Sequence, residues 1–99
     1  MHGQLNPRQR RSSLLQISVL HRAEVELIED NDDLRFYLKD NLKNSFYIIE
    51  ASNGKEGWQK ALALHPKLIV SDVNMPGMNG IELCKKIKDD SRTSQIPVI

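Results

Sequence analysis

Two apolar runs in this chain stop abruptly at carboxylates. Leu27-Ile28 runs into Glu29-Asp30-Asn31, and Leu68-Ile69-Val70-Ser71 runs into Asp72. Between and after them, short β-rich segments alternate with longer amphipathic ones. That alternation predicts the order βαβαβαβ and a doubly wound parallel sheet, because parallel neighbours need right-handed crossovers and helices fit that role. The carboxyl ends of parallel strands share one edge, and ligands bind there. The acids after the first and third strands are therefore expected to meet.

The individual segments support this order. Val25–Ile28 reads as a strand. Asn31 can cap a helix, with Asp32 and Asp33 in its first turn, where the helix dipole favours acids. Leu34, Leu38 and Leu42 recur at i, i+4, i+8 beside Tyr37, which predicts an amphipathic helix over 33–43. Phe46-Tyr47-Ile48-Ile49 is a second strand. Ser52-Asn53-Gly54 is a turn, and Asn53 with Glu56 has capping-box spacing. A helix is predicted over 55–64, with Pro66 after its end. Lys67–Ser71 is a third strand, apolar enough to be covered on both faces. Pro76-Gly77 is a turn, and a third helix over 81–88 would place Cys84 with Ile81 and Ile87 in the core. The polar stretch 89–95 reads as a loop, and Ile96-Pro97-Val98-Ile99 opens a fourth strand.

Charge divides the chain unevenly. Residues 1–23 hold Arg8, Arg10, Arg11 and Arg22 and no acid, so of 14 basic residues ten remain to face all 13 acids, a net of −3 over 24–99. A mildly acidic globular part argues against a nucleic-acid surface. Residues 1–22 read as a basic linker or partly helical head, without aromatic residues interleaved for base stacking. A single cysteine excludes an internal disulfide and fits a reducing, cytoplasmic setting. No stretch approaches the roughly 20 apolar residues that span a bilayer, so no membrane role is expected. Arg10-Arg11 begins an apolar run, but Gln16 and Ser18 interrupt it and no export signal is expected.

Each acidic element has an ordinary reading by itself: Glu29-Asp30 as solvated loop, Asp72 as a turn or cap residue, Met75–Met78 as a turn with two apolar anchors. Together, two acids after the first strand, one after the third and Asn74 two residues later offer oxygen ligands suited to Mg²⁺ or Mn²⁺. Two other nucleotide or phosphate chemistries fit poorly. A phosphatase with a nucleophilic aspartate after a strand, of the haloacid-dehalogenase kind, needs a second aspartate where Asn74 stands. A P-loop protein needs G-x-x-x-x-G-K-[ST], which the chain lacks.

Leu27-Ile28-Glu29-Asp30-Asn31, Asn53-Gly54-Lys55-Glu56-Gly57 and Ser71-Asp72-Val73-Asn74-Met75-Pro76-Gly77-Met78-Asn79-Gly80 resemble the receiver domain of bacterial two-component response regulators, in the form carried by hybrid sensor kinases. The resemblance covers residues 24–99 and, with Ala23, bounds an expected partial receiver at 23–99. It implies a flavodoxin-like fold with strand order 2-1-3-4-5. It implies Asp72 as phosphoacceptor, a metal held by Glu29, Asp30, Asp72 and the Asn74 backbone carbonyl, and a loop shaped by Pro76, Gly77 and Gly80. The partner implied is a sensor histidine kinase or its phosphohistidine domain, and the chain would serve as a phosphoacceptor in a phosphorelay rather than as an enzyme.

The family also places a Ser or Thr at the end of a fourth strand and a Lys at the end of a fifth. Thr93 and Ser94 precede the fourth strand and do not fill the first position. The chain is expected to be an incomplete receiver, cut short in that strand, whose open edge would invite self-association. The alternative function is a truncated or degenerate receiver acting only as an interaction module, or a non-functional fragment. Glu26 stands where the family has an aliphatic residue. It is expected to be neutralised by burial, or else exposed on an uncovered face.

Overall fold

The computed structural model describes residues 22–99. Three strands form a parallel sheet in the order β2-β1-β3, with β1 spanning Glu24–Ile28, β2 Tyr47–Ala51 and β3 Leu68–Ser71. Three helices connect or follow them: α1 Asp32–Leu42, α2 Gly54–Leu64 and α3 Gly80–Asp89. The expected basic head lies outside the described residues except for Arg22, whose guanidinium donates to the Lys43 carbonyl at 2.7 Å.

The open sheet is the expected doubly wound arrangement, and the expected elements all form, with ends shifted by up to two residues. The exception is Ile96–Ile99, which makes a single parallel bridge, Val98 to Ile69, rather than a strand. Ile69 N–H still donates to Pro97 O at 2.9 Å, and Ile99 N–H to Ile69 O at 2.9 Å. Proline removes one donor from this short segment, which limits the ladder. The central strand of the three is therefore β1, and the β3 residues Leu68, Val70 and Ser71 are only half-buried.

Strand alternation assigns the faces. Ile28, Ala51 and Ile69 join Ala61 of α2 and Leu83 and Ile87 of α3 in one core, completed by Met75 and Ile96. Val25 and Leu27 point the other way and are equally buried on the face that α1 crosses. Gly57 lets α2 lie against β1, since a Cβ there would sit 2.5 Å from Ile28 Cδ1.

Caps set the helix starts. Asn31 accepts from Leu34 N–H at 2.9 Å, and Asn53 from Glu56 N–H at 2.8 Å. The expected box at Asn53 is only half made, because the Glu56 carboxylate accepts from Ser52 N–H instead. The reciprocal box occurs at Asn79 and Glu82. Helix α2 ends in a left-handed residue, His65, with φ 46°.

Two core assignments change. On α3 the buried stripe is Gly80, Leu83 and Ile87, whereas Ile81 is 67% exposed and Cys84 half-buried. Ile81 and Cys84 line an apolar groove of about 260 Å³ with Val73, Val98 and Ile99. On α1 the Leu34–Leu38–Leu42 stripe is at best half-buried, and the one buried residue is Arg35.

Candidate metal and phosphoryl site

Two backbone hydrogen bonds place the acids. Glu29 N–H donates to Ala51 O at 3.0 Å, one step past the β1–β2 register, and Asp72 N–H donates to Ile28 O at 3.0 Å, one step past the β1–β3 register. Each acid is thereby pinned at the first position beyond its strand, at the carboxyl edge. Carboxylate oxygens of Glu29, Asp30 and Asp72 all lie within 4.8 Å of one another.

Their surroundings differ. Glu29 is buried, Asp72 half-buried and Asp30 exposed. Burial pushes the Glu29 carboxyl above its usual range; Asn31 N–H, donating to Oε2 at 3.0 Å, works against that shift, while a hydrogen bond with Asp30 and the charges of Asp72 and Asp30 add to it. A carboxylate raised by burial and by two neighbouring acids marks a site that a divalent cation would relieve. Donors that are all oxygen suit a hard cation.

The loop after Asp72 is held tightly. Asn74 N–H points to Asp72 Oδ1 at 3.4 Å, and Asn74 and Pro76 are exposed. Gly77 takes φ +74°, a turn conformation that L side chains rarely adopt. Met75 is buried in the core and Met78 packs against it, so both ends of the turn are anchored. Gly80 N–H donates to Val73 O at 3.0 Å. A Cβ on Gly80 would collide with the Asp72 carbonyl oxygen and lie 3.0 Å from Val73 Cα, both main-chain atoms that cannot swing aside. Gly80→Ala is therefore expected to destabilise the fold by about 1–3 kcal/mol, the usual cost of overpacking. A urea midpoint equal to that of the unsubstituted chain would contradict this close approach.

The structure thus brings Glu29, Asp30 and Asp72 together, with Asn74, Pro76 and Gly77 in the adjoining loop and Gly80 at the start of α3. It adds one residue that the sequence pattern did not single out. The Arg35 guanidinium lies under the acidic loop and donates to the Glu29 carbonyl at 2.7 Å. Its only sequence signal was its place one turn after the capping Asn31.

Glu26 is fully buried on the α2 face, between Ile49 and Ile69 in register, and neither carboxylate oxygen has a hydrogen-bond partner among the described residues. The expected exposure on an open face does not occur. Burial pushes its carboxyl up to about 8; Lys60 opposes that shift and Glu56 adds to it.

Comparison with known proteins agrees with this geometry. The family model described as the response regulator receiver domain matches residues 25–99. The chain is 45% identical over 83 residues to Histidine kinase P4 of Formosa agariphila, covering 84% of this chain and 6% of that protein. It is 38% identical over 76 residues to Chemotaxis protein CheY1 of Helicobacter pylori, covering 74% of this chain and 61% of that one. Among solved structures, the signal receiver domain of a signal transduction histidine kinase from Syntrophus aciditrophicus superposes with a TM-score of 0.73 at 32% identity, covering 77% of this chain and 58% of that one. The N-terminal domain of a response regulator receiver protein from Methanoculleus marisnigri JR1 gives 0.74 at 27% identity, with coverages of 77% and 63%. The chain spans less than two thirds of the length of each of these relatives. With a family match running from β1 to Ile99 and the same fold in solved receivers, the chain belongs to the response regulator receiver domain family.

Proposed function

We propose that this chain is a phosphoacceptor module of a two-component phosphorelay, with Asp72 as the residue that takes the phosphoryl group. The observation that carries the reading is the convergence of Glu29, Asp30 and Asp72 within 4.8 Å at the carboxyl edge of the sheet. Glu29, Asp30, Asp72 and the Asn74 backbone carbonyl would hold Mg²⁺, or Mn²⁺ in its place. A bound divalent cation supplies charge neutralisation for the carboxylates and for the phosphoryl oxygens in transfer.

The chain's own residues do the rest. An Asp72 carboxylate oxygen attacks the phosphorus of a phosphohistidine. The new P–O bond forms as the P–N bond breaks, and its electron pair stays on the imidazole nitrogen. Asn74 N–H, facing Asp72 Oδ1, helps to hold the carboxylate in one orientation. The product is an acyl phosphate on Asp72, a new multiply charged acceptor able to bias neighbouring surfaces.

The donor is a sensor histidine kinase or its phosphohistidine domain, and the location is cytoplasmic. Among the described residues no helix is long and apolar enough to cross a membrane. The chain takes part as acceptor and not as an enzyme acting on a separate substrate.

Thermal unfolding with and without Mg²⁺ tests this reading. Millimolar Mg²⁺ is expected to raise Tm, and beryllofluoride added with Mg²⁺ to raise it further, because ligands that bind only the native state stabilise it. A transition unmoved by both would contradict the proposed site.

A further inference from the structure

Arg35 is the one buried residue of α1, 8% exposed, and its guanidinium is spent on three different segments. Nη1 donates to the Glu29 carbonyl at 2.7 Å, Nη2 to Asp32 Oδ1 at 2.6 Å and Nε to Glu50 Oε1 at 3.3 Å. The second oxygen of Glu50 accepts from Lys39 Nζ at 2.8 Å. One planar group thus ties the acidic loop to the start of α1 and to β2.

The consequence falls on Glu29. Its N–H is bound to Ala51 O, its carboxylate accepts from Asn31 N–H, and its carbonyl accepts from Arg35. The N–H, one carboxylate oxygen and the carbonyl of that residue are thus held by β2, by the residue that caps α1 and by α1 itself. Without Arg35 the carbonyl would be left buried and unpaired, and the peptide joining Glu29 to Asp30 would be free to rotate toward another donor.

We propose that Arg35 is a positioning residue for cation binding: by holding the Glu29 carbonyl it fixes the Glu29-Asp30 peptide so that both carboxylates stay aimed at Asp72. This rests on the phosphoacceptor reading above. The effect is geometric rather than a matter of charge. Arg35 and Lys39 face Asp32 and Glu50, two positive against two negative groups, so the cluster adds no net charge beside the acids. Outer partners that orient ligands typically govern 10–100-fold of metal affinity. Lysine is a poor substitute, because an ammonium lacks the planar fork that reaches three acceptors at once.

The test is calorimetric titration of Mg²⁺ into the unsubstituted chain, Arg35→Gln, Arg35→Lys and Lys43→Gln, at a temperature where each is folded, alongside the metal-free Tm. Lys43 pairs with Asp40 on the surface and serves as a charge control. Arg35→Gln is expected to weaken Mg²⁺ binding about tenfold. Arg35→Lys, which reports even if the glutamine variant does not fold, is expected to weaken it several-fold, and Lys43→Gln to leave it within twofold. The Arg35 Nε–H resonance of the unsubstituted chain is expected to shift on adding Mg²⁺, a readout that needs no variant. An unchanged affinity in a folded Arg35 variant, even with a lowered Tm, would reduce Arg35 to a structural ion pair and overturn the proposal. So would an unmoved Nε–H resonance, or an equal loss in Lys43→Gln. If the unsubstituted chain itself binds no Mg²⁺, both the phosphoacceptor reading and this proposal fall, an outcome distinct from the others.

Discussion

Glu26→Leu is expected to stabilise the fold by about 3 kcal/mol at pH 7 and to remove most of its pH dependence between pH 5 and 8. Glu26 lies on the central strand with both oxygens unpartnered among the described residues, and burial raises its carboxyl from 4.5 to about 8. Lys60, the cation that opposes this shift, is occupied: its Nζ donates to the Glu50 carbonyl and pairs with Glu56 Oε1 at 3.3 Å. In the folded chain the side chain therefore keeps its proton at pH 7, while the unfolded chain releases it. The folded pKa is the higher one, so this group's contribution is fully present below about pH 4.5 and is lost as pH rises through about 8. Across that window the loss amounts to roughly 5 kcal/mol, a large share of the 5–15 kcal/mol available to a small domain.

Leucine needs no proton or partner. Urea unfolding at pH 5, 6.5 and 8 is the check. The unsubstituted chain should lose stability steadily with pH and Glu26→Leu should stay nearly level; parallel slopes would show that Glu26 is not the buried acid responsible. The acid side of the profile has other causes. Lys39, with help from Arg35, holds Glu50 below its usual range, and Arg92 holds Asp90 down to about 2. Their contributions exist above the unfolded pKa and vanish as pH falls.

Asp72→Asn is expected to reduce phosphoryl incorporation to background. Asparagine keeps the shape and the Asn74 N–H contact but has no anionic oxygen to attack phosphorus, and it removes one of three carboxylates from the cluster. Asp30→Asn should act differently. The nucleophile remains while a charged ligand is lost, so labelling should persist at a lower rate and demand more Mg²⁺. Labelling of Asp72→Asn at the unsubstituted level would move the acceptor to another side chain. The natural candidates are Glu29 and Asp30, which lie within the same 4.8 Å group.

The sheet and the acidic edge were legible because they depend on local chemistry. Apolar runs ending in acids, Asn31 and Asn53 before helices, and glycine at Gly77 and Gly80 each state a backbone requirement that neighbours in sequence can express. What was not legible depends on partners distant in sequence. The leucine period on α1 pointed to Leu34, Leu38 and Leu42 as the buried side, yet Arg35 is the residue that closes against the sheet. Its acceptors are Glu29 O and Glu50, six and fifteen residues away. Ile81 and Cys84 share an apolar spacing with Ile87, but α3 is rotated so that Leu83 and Ile87 meet the core and the other two face the groove. N-x-x-E occurs at both Asn53 and Asn79, but only Asn79–Glu82 closes the box, because Glu56 turns to Ser52. For Glu26 the sequence stated the problem, a carboxylate in a central strand. Only the packing of α2 decided between burial and exposure.

The most direct measurement is to map the phosphorylated residue. The chain is incubated with a phosphohistidine donor in Mg²⁺ or in chelator, any acyl phosphate is trapped by borohydride reduction, and the peptides are sequenced by mass spectrometry. The expected result is a reduced aspartyl derivative at Asp72 alone, present with Mg²⁺ and absent with chelator. Modification at any other residue, or equal modification of Asp72 without the cation, would contradict the assignment of Glu29, Asp30 and Asp72 as a metal-assisted phosphoacceptor site.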